Sequence, residues 1–331
     1  MKIVRFANLL LISAFILTNS CKDPDDDDNG GGSPTVYYRV VEWISYDDYQ
    51  EEEKAVTTYV DNKINLIMGY EYQTKGEWVE DWKYEMNYPE QNTIVTDHLS
   101  KVNDIWELEY TDVMSYDNSK LIEIVSYYND LGTLTPVYRE TFDYNNNLLV
   151  QNTEYIEDEG GWYAIYRSDY EYDGSALQKI YFYEHEGDVW DPSEMLAYKY
   201  QGGAIDLVYY LDYNAGINDW DTTVEIGLEY AGGLLSKAKF MNHDMGVWYH
   251  FMDVNYQYDS HGNILSWDEI SIVNGFSWKV QFAYEEGLGN FRQVFNHEAQ
   301  GIWDACRPFP TKSSNSGVSR TKGFDYMIFK N

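Results

Sequence analysis

The sequence predicts an all-β chain: an antiparallel β-meander of about nine hairpin repeats, each about 28 residues long, forming an extended or curled repeat sheet. Three observations carry this. Tyr-centred turn signatures recur at Tyr116, Tyr144, Tyr172, Tyr200, Tyr230, Tyr258 and Tyr284, spaced 28, 28, 28, 30, 28 and 26 residues apart. Eight of the eleven tryptophans hold one place in the unit, 18 to 20 residues after a tyrosine: Trp78, Trp106, Trp162, Trp190, Trp220, Trp248, Trp278 and Trp303. Between tryptophan and next tyrosine, apolar and polar residues alternate with period two, the pattern of a half-buried strand.

Each unit reads as strand, tight turn, strand, tight turn. In the outgoing strand of Trp162 to Tyr172, one face holds Trp162, Ala164, Tyr166, Ser168 and Tyr170; the other holds Arg167, Asp169 and Glu171. Trp220 to Tyr230 and Trp248 to Tyr258 repeat that alternation, and weaker copies sit at Tyr59 and Tyr88. After each turn an aliphatic residue stands at the fifth place, as in Ile64, Leu121, Leu149, Leu177, Ile205 and Leu235, and opens the β-rich return strand. Short Gly/Asn/Asp turns permit only antiparallel neighbours, so nine units give about eighteen strands. On strict alternation the tryptophans share the core face with Met252 and Val254.

Both ends depart from the unit. Residues 37–44 read as the outer strand of an incomplete first unit, and 324–329 as a closing strand beyond a polar insert near 310–322. The segment from Arg307 onward carries Arg307, Lys312, Arg320, Lys322 and Lys330 against Asp325 alone. Those cations either discourage edge-to-edge pairing or dock on an acidic surface, the chain's own included.

Residues 1–20 form a secretory signal, with Lys2 and Arg5 before an apolar run from Leu9 to Leu17, too short for a membrane span. Leu17-Thr18-Asn19-Ser20-Cys21 resembles a bacterial lipobox, with the leucine one place further from the cysteine than usual. The resemblance implies acylation of Cys21. Residues 21–35 then form a tether whose aspartate run and glycines cannot bury anything. Lys22 followed by acids resembles the surface-export signal of Bacteroidota lipoproteins and implies an outer-membrane lipoprotein facing the exterior. With Cys21 acylated, Cys306 has no disulfide partner. The repeat domain covers 36–305, and 306–331 make up the insert and closing strand.

The Tyr-Asp-x-x-Gly-type turn, as in Tyr172-Asp173-Gly174-Ser175, followed by a hairpin, resembles the YD repeats of the RHS family over about residues 55–305. The units are longer than the family's repeat, the arginine after the turn glycine is absent, and no toxin-processing motif is present, so toxin encapsulation is not implied. The chain also resembles Tyr/Trp-rich repeat lipoproteins of Bacteroidota.

Chemistry-bearing motifs are sparse. His297-Glu298 starts like a zinc-protease motif but lacks the second histidine, and nucleophile elbow, phosphate loop and dinucleotide fingerprint are missing. No cofactor and no enzymatic activity are expected. The net charge of −33 opposes nucleic acid and anionic lipid. Asp212, Asn214 and Asp219 place oxygens at a spacing a calcium ion can use, although a turn wants these same residues. Tyr163, Tyr249 and Phe251 fall on the mostly charged face and are the ligand-binding candidates, because clustered exposed aromatics mark contact surfaces.

The functional reading is a surface-anchored, non-enzymatic β-repeat lipoprotein that binds or builds, attached by its lipid, with a glycan or protein partner at the cell surface. One alternative is a glycan-binding accessory protein of a nutrient-capture system. Another is an outer-membrane β-barrel, suggested by eighteen strands with aromatics at their ends. Asp112, Ser168 and Glu194 on the aromatic face oppose the barrel if that face meets lipid.

Overall fold

The computed structural model describes residues 38–286, apart from 49, 74–75 and 119, together with Ala14–Phe15 and Asp325–Tyr326. These last two, β1 and β20, pair with each other. In chain order the others are β2 (Tyr38–Asp47), β3 (Gln50–Val60), β4 (Lys63–Gln73), β5 (Glu77–Glu90), β6 (Thr93–Val102) and β7 (Ile105–Asp117). Then follow β8 (Lys120–Asp130), β9 (Thr133–Asn145), β10 (Leu148–Asp158), β11 (Gly161–Asp173), β12 (Ala176–Glu186) and β13 (Val189–Gln201). The series ends with β14 (Ala204–Asn214), β15 (Asp219–Ala231), β16 (Leu234–Asp244), β17 (Val247–Tyr258), β18 (Ile264–Ser271) and β19 (Ser277–Glu286).

These strands do not form an open or curled sheet. β2 to β19 close into one antiparallel barrel of 18 strands. The seam joins β19 to β2, from Trp278 opposite Asp47 to Glu286 opposite Tyr38. A repeat sheet with two free edges would leave two rows of backbone donors and acceptors unpaired; closure removes both. Among the readings of the sequence, the structure favours the barrel over the open surface module. Closure is complete within residues 38–286, so the barrel needs no strand from outside them. The predicted closing strand at 324–329 lies outside the described residues except for β20, which is not part of the barrel.

Nearly all hairpin turns at the tyrosine end use residues that tolerate positive φ: Asp61 and Asn62, Asn146 and Asn147, Gly202 and Gly203. In several units the repeat tyrosine then ties its hairpin to the neighbouring one. Its hydroxyl donates to the carbonyl of the aliphatic residue that opens the preceding return strand: Tyr88 to Ile64 (2.7 Å), Tyr200 to Leu177 (2.8 Å), Tyr230 to Ile205 (2.9 Å) and Tyr258 to Leu235 (2.8 Å). A β-bulge sits one residue past each acceptor, at Asn65, Gln178, Asp206 and Ser236. The bulge interrupts the ladder there, and the phenol supplies a donor. In these units the repeat's most visible residue is a backbone cap.

The same bulges slip the alternation by one. Ile64 and Ile67, Ile205 and Val208, and Leu235 and Ala238 are therefore all buried at a separation of three. These aliphatics join Leu196, Ile226, Val254 and Trp267 in one apolar cluster that runs through the barrel strands. The cluster lies on the inward face. Full burial of Ile180, Val208 and Ile226 needs cover from across the barrel, since neighbours in one sheet layer cannot enclose them.

Candidate functional site: the inward carboxylates and the tryptophan rim

A second bulge series lies at the other end of the strands, at Glu52, Asp81, Glu109, Val137, Ile165, Ser193, Thr223 and Phe251. Each stands between a repeat tryptophan, or its equivalent place, and the core stretch of the same strand. The phase slip carries the tryptophans to the outward face, opposite Met252 and Val254. This corrects the expectation that they fill the core. Trp190 lies beneath Arg167 (5.0 Å from guanidinium to ring centroid) and beside His185 (4.7 Å between rings). Trp248 stacks on His243 at 4.8 Å and is 39% exposed. Trp106 takes Lys83 and Lys101 over its ring, and Trp78 takes Lys54. Trp278 is the exception and packs against the core.

Below this rim the outward wall is charged and paired. Arg139 meets Glu123 (2.7 Å), Arg167 meets Asp169 (3.0 Å), Lys237 meets Asp253 (2.8 Å), and Lys83 meets Glu85. Arg39 meets Glu285 at the barrel seam.

The inward face changes character along the axis. Near the tyrosine turns it is aliphatic, whereas toward the tryptophan end it carries carboxylates. Asp112, Ser168 and Glu194 are inward here, so the polar positions that spoke against a barrel line its interior and not a lipid-facing wall. Asp112 pairs with His98 at 2.9 Å. Glu140 accepts from Asn152. Glu53 accepts from the Trp82 indole N–H at 2.7 Å. Burial pushes the Glu53 carboxyl up to about 7, helped by nearby Glu52 and Asp81 and opposed by the Trp82 bond. Burial alone pushes Glu269 up to about 8. The Trp82 ring can lie where it does because the residue opposite is Gly69, whose missing side chain would meet Trp82 Cε2 at 2.0 Å. Among the described residues, no three His, Cys, Asp or Glu side chains stand close enough to hold a metal ion.

The candidates read from the sequence are not brought together. Tyr249 pairs across the ladder with Asn242, whose amide donates to its hydroxyl at 2.6 Å, and it is 41% exposed. Phe251 is a bulge residue packed edge-on against Phe240 in the core (5.9 Å), so the two do not form one outward platform. Tyr163 stands on another strand, its ring 5.2 Å from His185. In the Asp212 turn, Asn214 donates to Asp221 (2.7 Å) and accepts from the Gly216 amide (3.1 Å), while Asp219 accepts from the Trp220 amide (2.8 Å). Their oxygens and amides serve the turn. Cys21 lies outside the described residues. The barrel was among the sequence alternatives and not the favoured one, whereas the inward carboxylates and the outward tryptophan rim were missed because both depend on where bulges fall.

No family model and no curated protein matches the chain. It is similar in shape to solved structures. A porin-like protein from Bacteroides uniformis matches at 10% identity over 74% of this chain and 96% of its own, with a TM-score of 0.39. A porin-like protein from Bacteroides vulgatus matches at 9% identity over 74% of this chain and 98% of its own, TM-score 0.35. The TcdB2-TccC3 assembly matches at 11% identity over 72% of this chain and 15% of its own, TM-score 0.26. These are likenesses of strand architecture and carry nothing about activity.

Proposed function

We propose that the chain is a non-enzymatic outer-membrane β-barrel, a binding or structural module held at the bilayer by an acyl group on Cys21, with its wall in water. One observation carries the placement of the wall. Lys83, Arg139, Arg167 and Lys237 stand on the outward face, paired with carboxylates. A cation facing hydrocarbon at mid-height costs about 2–4 kcal/mol, and four on one wall would cost as much as the usual stability of a fold. The sequence before residue 38 supplies the attachment: apolar signal, Cys21, acidic tether. The resemblance to Tyr/Trp-rich Bacteroidota lipoproteins agrees with it, and the export-type Lys22-Asp23 start favours an outward-facing protein.

Two measurements test this reading. A chain beginning at Ser33 should stay soluble without detergent; a strict need for detergent would place the wall in lipid. Cys21→Ser should move the protein from pelleted membranes to the washed supernatant. Retention through washing would refute the acyl attachment.

A further inference from the structure

The two rims of the barrel are unlike. At the tyrosine rim the turn tips include Asp61-Asn62, Asn146-Asn147, Gly202-Gly203 and Gly232-Gly233, and the exposed apolar residue beside a tip there is Val60. At the tryptophan rim, six of the turns carry an exposed apolar residue at or beside the tip: Ile105, Leu131, Val189, Ile217, Met245 and Val273. Leu131 is 100% exposed and Met245 96% exposed. Both also sit at positive φ, 50° and 49°, in the turn place where other hairpins use Asn, Asp, Glu or Gly. A side chain such as leucine in that conformation costs about 1 kcal/mol or more, and exposing it to water adds nothing that offsets this. Two such tips are doubly unfavourable in an isolated barrel.

We propose that this rim is a membrane-contact surface, the apolar tips entering an uncharged bilayer while the outward tryptophans lie at headgroup depth. The inference rests on the outer-membrane reading above and adds the place of contact. The sequence of side chains along the axis matches the polarity of a bilayer interface in order. Apolar tips come first, then Trp106, Trp190 and Trp248, then Lys101 over the Trp106 ring, then the ion-paired wall that holds Lys83 and Arg167. Tryptophan favours the interfacial zone, and cations next to it can reach lipid phosphates.

The arrangement also selects among occupants. The tips are not one patch; each crowns its own hairpin, two strands or roughly 10 Å from the next at about 4.8 Å per strand. A folded partner binds through a contiguous packed patch, whereas a fluid apolar phase admits separate tips independently. A second copy would bring Glu107, Asp188, Asp219 and Asp244 beside the same tips against their equals. Like charges so placed repel. The same acids disfavour anionic lipid.

The tether permits the contact. β2 begins at the tyrosine rim, so the chain enters at the far end of the wall. Sixteen residues lie between Cys21 and Tyr38, and at ~3.3–3.6 Å per residue they reach about 55–60 Å. A strand of 13 residues such as β11 rises about 43 Å at ~3.3 Å per residue, and less along a tilted barrel. Acyl group and tryptophan rim can therefore meet one bilayer.

Flotation of the chain beginning at Ser33 with phosphatidylcholine vesicles tests the proposal, read with quenching of tryptophan by brominated acyl chains. Expected are flotation, quenching, and weaker binding when phosphatidylglycerol is added at low salt. Leu131→Asn with Met245→Asn suits the turn conformation and should keep or raise the melting temperature while lowering vesicle binding at least tenfold. No flotation by a detergent-free, folded chain would overturn the rim contact and leave the outer-membrane reading intact. A need for detergent would instead sink the reading of a wall in water, on which the rim contact rests. Unchanged binding in the double variant, or a concentration-dependent dimer that the variant abolishes, also overturns the bilayer assignment.

Discussion

Neutral pH should destabilise this barrel, and two inward carboxylates set the window. Glu53 is pushed from 4.5 up to about 7 and Glu269 from 4.5 up to about 8, in both cases chiefly by burial. The folded state therefore holds protons that the unfolded chain releases near pH 4.5. Stability from each group is full below pH 4.5 and is lost as pH rises through about 7 for Glu53 and about 8 for Glu269. At about 1.4 kcal/mol per pKa unit, the losses are at most about 3 kcal/mol for Glu53 and about 5 kcal/mol for Glu269. Water reaching these carboxyls trims both, and a net loss of several kcal/mol between pH 5 and 9 remains. The assay is urea unfolding of the chain beginning at Ser33 across that range, beside Glu53→Gln, Glu269→Gln and the double variant. Glutamine keeps an acceptor for Trp82 Nε1 and cannot ionise, so each variant should flatten the slope and be the more stable protein at pH 9. The general acidity of the chain also disfavours high pH, but every variant shares it. Stability that rises with pH, or a double variant with the wild-type slope, would refute the placement of these carboxyls inside the barrel.

Gly69→Ala should lower stability by about 1–3 kcal/mol, because the added carbon meets the Trp82 ring at 2.0 Å and must displace it; the tryptophan emission spectrum should shift with the melting temperature. Tyr200→Phe should cost about 1 kcal/mol by removing the hydroxyl that caps the Leu177 carbonyl, and a neutral effect in urea unfolding would refute the capping role. Trp190→Ala should cost only about 1 kcal/mol, the scale of its contact with Arg167, and a loss of the ~3–5 kcal/mol typical of buried aromatics would return it to the core.

Much of the wall was legible in the sequence. Tyrosine spacing gave the hairpin unit, the turn residues gave antiparallel order, and nine units gave about the eighteen strands observed. Closure was not legible. The strand that seals the barrel is Tyr38–Asp47, which the sequence reads as a fragment of a first unit, and its partner is Ser277–Glu286. Nothing local in either segment states that they meet; pairing across more than two hundred residues follows from twist and strand number. The polar residues of the aromatic face misled for a related reason. Asp112, Ser168 and Glu194 argued against a barrel only on the assumption that aromatics face lipid.

The larger loss came from the bulges, which decide which face a side chain joins. A bulge needs one extra residue and little else, and the outer series uses Glu52, Asp81, Glu109, Val137, Ile165, Ser193, Thr223 and Phe251. No composition signal unites these. Their spacing of 28 to 30 residues does, and it matches the tyrosine period, so a repeat can be read for phase once a single unit is known. In that light the pair of aliphatics three apart, Ile64 with Ile67 or Ile205 with Val208, was the available clue: a strict strand puts such residues on opposite faces, and a family of them marks a slip in each return strand. The outward strand offers the mirror clue. Trp190 at one end and Leu196 at the other are six apart, the same face by alternation, yet Arg167 covers the first and the second is fully buried in the apolar cluster. The tryptophans recur for what they do at the rim, not for what they fill.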